Sequence, residues 1–376
     1  MPATSRWRSA LAALTILVIG TLAGVALAEV TLRVYASVAS TELAWRLRAD
    51  PYAVLIEPHG EAGYRPRPGR SFTYDNGTTA SINSLGYRGP EVATPKPAGT
   101  TRILLLGGST TYGWGVDDEH TVDRYLREAL VRRFPGGRFE VVNLAFDGYD
   151  SWQLFERLRT DGARLEPDFV IVNTGVNDVR NARFPRLVDR DPRTLLWLTE
   201  TTRLREERRR GGPTAWTRAK HHLYLARLPG ILRQQAGAEP DTLRTPYPDA
   251  LDYFERNLRR IVALADSADA VLVLSSDPSS LRTKYQPSDT SSRTYWIHDA
   301  ETTQTYRDSL DARLRGVVAA ARAGGLDVVH APPADIPPAH FLDDTHLAPE
   351  GNRRLAEHWA QVLTPMLAQA DGATGR

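Results

Sequence analysis

The chain has 376 residues, enough for one large domain with elaborations or for two domains. Its 41% hydrophobic and 24% charged composition is globular, and a net charge of +2 from 47 basic and 45 acidic residues creates no field that would draw it to nucleic acid. With no cysteine, disulfides, thiol nucleophiles and Cys-ligated zinc or iron–sulfur sites are excluded.

The first predicted element is apolar. After Arg6 and Arg8, the stretch from Ser9 to Ala28 carries no charge and is mostly Ala, Leu, Val and Ile, close to the ~20 residues that span a bilayer core. Residues 1–35 read as a signal-anchor helix, because apolar positions continue through Val30, Leu32 and Val34. The flanking arginines resist translocation, which puts everything after Glu29 on the periplasmic or extracellular side. A second reading is a cleaved secretory signal, since Ala26-Leu27-Ala28 has the small-x-small pattern of a cleavage site. Both readings export the rest of the chain.

Residues 36–98 form a lead-in rich in Pro, Gly, Arg and Tyr, with short alternating pieces such as Ser71-Phe72-Thr73-Tyr74, and are expected to be partly stranded. From residue 99 the pattern changes. Apolar strands are predicted over 102–106, 139–144, 169–173, 270–274 and 326–329, and helices over 121–134, 151–165, 249–267 and 303–324, with a last helix after Pro349. Strands apolar throughout are buried on both faces, so the fold class is α/β, with a five-stranded, mainly parallel sheet between two helical layers. This domain runs over 99–370 with a short tail at 371–376. An insertion at 179–248 interrupts it. Arg and Lys crowd the region between Thr201 and Gln235, interleaved with Trp216 and Tyr224 and preceded by Trp197. It reads either as a solvated helical face or as a lid or surface for anionic head groups or polysaccharide.

In open α/β sheets, chemistry gathers beyond the carboxyl ends of the strands. There lie Gly107-Gly108-Ser109-Thr110, then Asp147-Gly148-Tyr149, then Gly175-Val176-Asn177-Asp178, and before the last helix Asp343-Asp344-Thr345-His346. A serine hydroxyl needs a base within reach and a carboxylate to orient that base. Ser109, His346 and Asp343 supply the three. Acyl transfer also needs donors aimed at a developing oxyanion: the backbone N–H groups of Ser109 and Gly148 and the side-chain amide of Asn177. Asp344 is the alternative carboxylate, His330 and His340 are alternative bases, and Asp147 and Asp178 read as structural hydrogen-bonders.

In order and together, these four blocks resemble the SGNH (GDSL-like) hydrolases, over most of the chain beyond Arg102. The resemblance implies a three-layer α/β/α fold, no cofactor and no metal, a Ser109–His346–Asp343 triad, and an oxyanion hole from Ser109, Gly148 and Asn177. Two positions depart from the name motif, Gly108 for Asp and Thr110 for Leu; neither is a triad member. There is no G-x-S-x-G elbow, which argues against the α/β-hydrolase fold. The expected function is a serine esterase acting on an acyl or acetyl ester of an envelope polysaccharide or a lipid. An O-acyltransferase using the same triad to modify an exported glycan and an inactive membrane-anchored carbohydrate-binding module are the alternatives. A metal site built from Asp343, Asp344, His346 and His340 would leave Ser109, Gly148 and Asn177 without a purpose, and the glycines before Ser109 lack the lysine and spacing of a phosphate loop.

Overall fold

A computed structural model of the chain describes residues 3–39, 43, 47, 56–59, 62–74, 76–182, 223–236, 246, 249–279 and 300–374. The chain divides into two compact units, residues 1–54 with 205–242, and residues 55–204 with 243–376.

In the first unit, α1 (Ala3–Val38) is one continuous helix. Its segment Ala10–Val38, 29 residues whose most apolar stretch has a mean hydropathy of 2.4 and is not buried, is long and apolar enough to cross a membrane. At 1.5 Å per residue it is ~43 Å long, more than the ~30 Å hydrocarbon core requires. Beyond the apolar run, the Glu29 carboxylate accepts the backbone N–H groups of Tyr224 and Leu225 at 3.0 and 2.9 Å. These N–H groups begin a helix at Tyr224–Ala236, so Glu29 satisfies two of the donors that a helix start leaves open. The remainder of the basic insertion, including Trp197 and Trp216, lies outside the described residues.

The second unit opens with the lead-in, which forms two antiparallel hairpins: β1 (Ile56–His59) with β2 (Gly63–Pro66), and β3 (Ser71–Thr73) with β4 (Thr79–Ser81). The α/β pattern follows: β5 (Thr100–Gly107), α2 (Ser109–Tyr112), α3 (Val122–Arg133), β6 (Arg138–Asn143), α4 (Ser151–Arg157), β7 (Phe169–Thr174) and α5 (Val176–Asn181). Counting the insertion helix Tyr224–Ala236 as α6, the rest is α7 (Ala250–Ser267), β8 (Val271–Ser276), α8 (Ala300–Ala323), β9 (Val328–Ala331) and α9 (Pro349–Thr374). The last helix extends into the segment expected as a tail. The helix expected over 151–165 keeps α-geometry only to Arg157, then loosens into a π-turn over Leu158–Gly162 and a single 3-10 turn.

The five main strands pair in parallel in the order β6-β5-β7-β8-β9. Alternation along each strand sends side chains to opposite faces. Ile103, Leu105, Phe169, Ile171 and Val273 pack with α3 and α9, through Leu126, Leu130, Leu355 and Trp359. Leu104, Leu106, Val170, Val172, Leu272 and Leu274 pack on the other face with α4, α7 and α8, through Leu154, Phe254, Leu258 and Leu314. Two apolar layers on one sheet make the three-layer α/β/α sandwich, and explain why these strands contain no polar alternation. Ile56, Tyr64, Ala80, Ile82 and Tyr87 of the lead-in join the second layer, so the hairpins are part of this core.

Candidate active site

The sheet places the ends of β5, β6 and β7 side by side. β5 stops at Gly107, and the chain turns at once into α2, which begins with Ser109 and stays buried along its length. Both glycines are demanded by space. A β-carbon at Gly107 would sit 2.1 Å from Thr111 Oγ1, and one at Gly108 would sit 2.5 Å from Asn177 Nδ2. Thr111 is held in turn: its hydroxyl oxygen accepts from Asn173 Nδ2 at 3.0 Å and its carbonyl accepts from Asn143 Nδ2 at 3.0 Å.

His346 reaches the same point from the loop before α9. Its Nε2 lies 2.7 Å from Ser109 Oγ and its Nδ1 lies 2.6 Å from Asp343 Oδ2. The other carboxylate oxygen, Asp343 Oδ1, accepts the backbone N–H groups of Thr345 and His346 at 2.9 and 2.7 Å, which fixes the i, i+3 turn that presents both side chains on one side. Thr110, one of the two departures from the name motif, uses its hydroxyl to donate to the Thr345 carbonyl at 3.2 Å, tying α2 to this loop.

The electrostatics follow from contact. Burial disfavours charge on His346, but the adjoining Asp343 carboxylate, assisted by Asp147 and Asp344, outweighs it and holds the imidazole above its ordinary value. Burial would push Asp343 up, yet the charge and hydrogen bond of His346 and the two backbone donors bring it below the usual carboxylate range.

Gly148 follows β6 with φ +75, a left-handed conformation that glycine adopts without strain. Asn177 lies in the first turn of α5, and its Nδ2 donates to the Tyr149 carbonyl at 3.0 Å. The Gly148 turn and Asn177 therefore meet beside Gly108, directly before Ser109. The N–H groups of Ser109 and Gly148 donate to no partner among the described residues.

The alternatives take other places. Asp178 accepts from Ser151 and Thr174, bracing α4 against α5. His330 pairs with Asp311 at 3.6 Å, and the His340 carbonyl accepts from Ala348 at 2.9 Å. Asp343, not Asp344, touches the imidazole. Among the described residues no three His, Asp or Glu side chains are grouped to hold a metal ion.

Two contributors were not visible in the sequence. Asp277, buried after β8, accepts from Asn173 Nδ2 at 2.7 Å and from the Val176 N–H at 3.1 Å, fixing the turn that presents Asn177; burial raises its pKa. Trp114 lies against the imidazole of His346 with ring centroids 4.5 Å apart. Its position after a predicted strand is the one signal that could have found Asp277, whose role shows only in its partners, and a lone tryptophan after a glycine carries no signal.

Comparison with known proteins bears on the family and not on these individual residues. No curated protein matches the sequence. Among solved structures, a GDSL-like lipase from Bacteroides thetaiotaomicron is 17% identical over 71% of this chain and 89% of its own, with a TM-score of 0.37. The psychrotrophic esterase EstA from Pseudoalteromonas sp. is 12% identical over 71% of this chain and 99% of its own, TM-score 0.38. A variant of an acetyl-xylooligosaccharide esterase from Geobacillus stearmophilus is 15% identical over 69% and 93%, TM-score 0.38. The model of the GDSL-like lipase/acylhydrolase family matches residues 105–354, from the last residues of β5 through Ser109 and His346 into α9. The chain belongs to the GDSL-like lipase/acylhydrolase family of ester hydrolases.

Proposed function

We propose that the protein is a serine esterase, held by α1 on the outer side of the cytoplasmic membrane, that cleaves an acyl or acetyl ester of an envelope polysaccharide or lipid through an acyl-enzyme on Ser109. The observation that carries this reading is the continuous chain from Ser109 Oγ through His346 to Asp343, at 2.7 and 2.6 Å.

Ser109 Oγ attacks the ester carbonyl carbon while its proton passes to His346 Nε2. Asp343 holds the ring with Nδ1–H toward the carboxylate and stabilises the imidazolium that forms. The carbonyl oxygen, now negative, accepts from the N–H groups of Ser109 and Gly148 and from the second N–H of Asn177 Nδ2, the first being spent on Tyr149. Collapse expels the alcohol, which takes the proton from His346. Water then attacks the acyl carbon with His346 as base, Ser109 recovers its proton, and the carboxylic acid leaves.

Arg6 and Arg8, at the start of α1 and ahead of its apolar run, support an outward-facing domain, and the apolar length of α1 supports retention in the membrane. The purified full chain in detergent, assayed with an activated short-chain ester beside Ser109→Ala, tests the enzymatic reading. Turnover in the wild type that falls to background in Ser109→Ala is expected. Equal, negligible rates in both would favour a carbohydrate-binding role and overturn it.

A further inference from the structure

The lead-in hairpins precede the family-matched segment 105–354, yet one of them reaches the base of the active site through a line of aromatic rings. Phe72 of β3 meets Tyr74 edge to face, with centroids 4.7 Å apart at 83°. Tyr74 meets Trp114 at 5.8 Å and 67°, and Trp114 lies over the His346 ring at 4.5 Å and 35°.

The loop that carries Trp114 is fastened at both ends. On one side, the Trp114 N–H donates to the carbonyl of Ser109 at 3.0 Å. On the other, lead-in side chains take up the carbonyls of the loop. Asn76 Nδ2 donates to Gly115 at 2.8 Å, and the buried Arg88 guanidinium donates to Tyr112 at 2.8 Å, to Val116 at 2.6 Å and to Gly113. The loop returns the grip: Asp117 accepts the Thr79 N–H at 2.8 Å and Asp118 the Ser81 N–H at 3.1 Å. Lead-in and loop thus form one hydrogen-bonded body whose inner surface is the indole of Trp114.

An indole in that position has two consequences. It closes one face of the imidazole, so the ring cannot swing about its Cβ–Cγ bond away from the line between Asp343 and Ser109. Its π face also attracts a cation, and the imidazole becomes one only after taking the Ser109 proton. An attraction that grows on the way to the transition state lowers the barrier, whereas one equal in both states does not. We propose that Trp114 is a positioning residue for His346, and that the lead-in hairpin β3–β4 is a part of the active site that holds it there. This rests on the triad mechanism above.

The test uses the full chain in detergent and the pH profile of kcat/KM for wild type, Trp114→Leu, Trp114→Phe and Ser109→Ala. Leucine keeps an apolar cover but removes the π face. The other charged groups facing His346, which are Asp343 and Asp344 in its own loop, Asp147 after β6 and Asp277 after β8, are unchanged in these variants. In Trp114→Leu, kcat is expected to fall about tenfold and the midpoint of the acid limb to move to lower pH, since the imidazolium loses a stabilising contact. Trp114→Phe should recover most of both. A role in stability alone would not move the midpoint. An unmoved midpoint in a folded Trp114→Leu, or a Trp114→Phe no better than leucine, would overturn the inference while an inactive Ser109→Ala leaves the mechanism standing. Activity in Ser109→Ala equal to wild type would overturn both. If Trp114→Leu does not fold, Asn76→Ala carries the test: a lower kcat with a lowered midpoint supports the inference, and an unchanged profile overturns it.

Discussion

The side-chain amide of Asn177 occupies the space that a β-carbon would fill at Gly108, with only 2.5 Å between them. Asn177 lies in the first turn of a helix whose start is fixed by Asp277, so it cannot yield without losing its aim. Gly108→Ala should therefore lower kcat toward the level of Asn177→Ala, a loss of about 10²–10³ for one oxyanion donor. The double variant should be no worse than Asn177→Ala alone, because removing the amide makes room for the methyl group. Steady-state kinetics of the three variants decides; additive losses would contradict the steric account.

The pH dependence follows from the coupling of His346 and Asp343. As a base His346 must be neutral, and its pKa is raised, so kcat/KM should climb with pH through a midpoint above the ordinary imidazole value. Asp343→Asn removes the nearest raising charge. The midpoint should then move to lower pH while kcat falls about 10⁴-fold, as expected when the ring loses its orienting carboxylate. A pH–rate profile with an unshifted midpoint in Asp343→Asn would count against the assignment of Asp343.

Stability at low pH should depend on Asp161. Its side chain and that of Arg157 are fully buried and ion-paired, with His59 and Arg164 also in contact. Burial pushes Asp161 up, but the hydrogen bond from His59 and the charges of Arg157, His59 and Arg164 bring it down to about 2. A lowered carboxylate pKa stabilises the fold above the unfolded value, and that contribution is lost as pH falls toward about 2. Asp161→Asn strands the Arg157 guanidinium, whose N–H groups make no hydrogen bond among the described residues. It should cost about 3–5 kcal/mol near neutral pH. Urea unfolding measures it, and a loss below about 1 kcal/mol would show that the buried charge is compensated elsewhere.

The anchor makes a separate prediction. The full chain expressed in its membrane should resist extraction by alkaline carbonate, and its N-terminus should precede Glu29. A soluble product beginning at Glu29 would establish cleavage after Ala28 instead.

Much of the fold was legible because burial on both faces of a parallel sheet leaves strands such as 103–106 and 169–172 without polar alternation. The site was legible because Ser109, Gly148 and Asn177 each follow a strand, and because Asp343 and His346 share one short turn. The ambiguity between Asp343 and Asp344 could be resolved only by the turn itself, where the backbone N–H groups of Thr345 and His346 capture one oxygen of Asp343. Trp114, Arg88 and Asp277 were illegible for a common reason: each acts through partners distant in sequence. Arg88 stands in an irregular stretch of the lead-in with no motif to mark it, yet it is buried, donating to carbonyls of residues 112–116 and paired with Asp118.

Trapping the acyl-enzyme tests the central claim most directly. Full-length protein mixed with an activated short-chain ester and quenched in acid within the first turnovers should gain the mass of one acyl group. Digestion should locate that group on the peptide containing Ser109, and Ser109→Ala should remain unmodified. An acyl group found on another residue, or equal labelling of Ser109→Ala, would contradict the account.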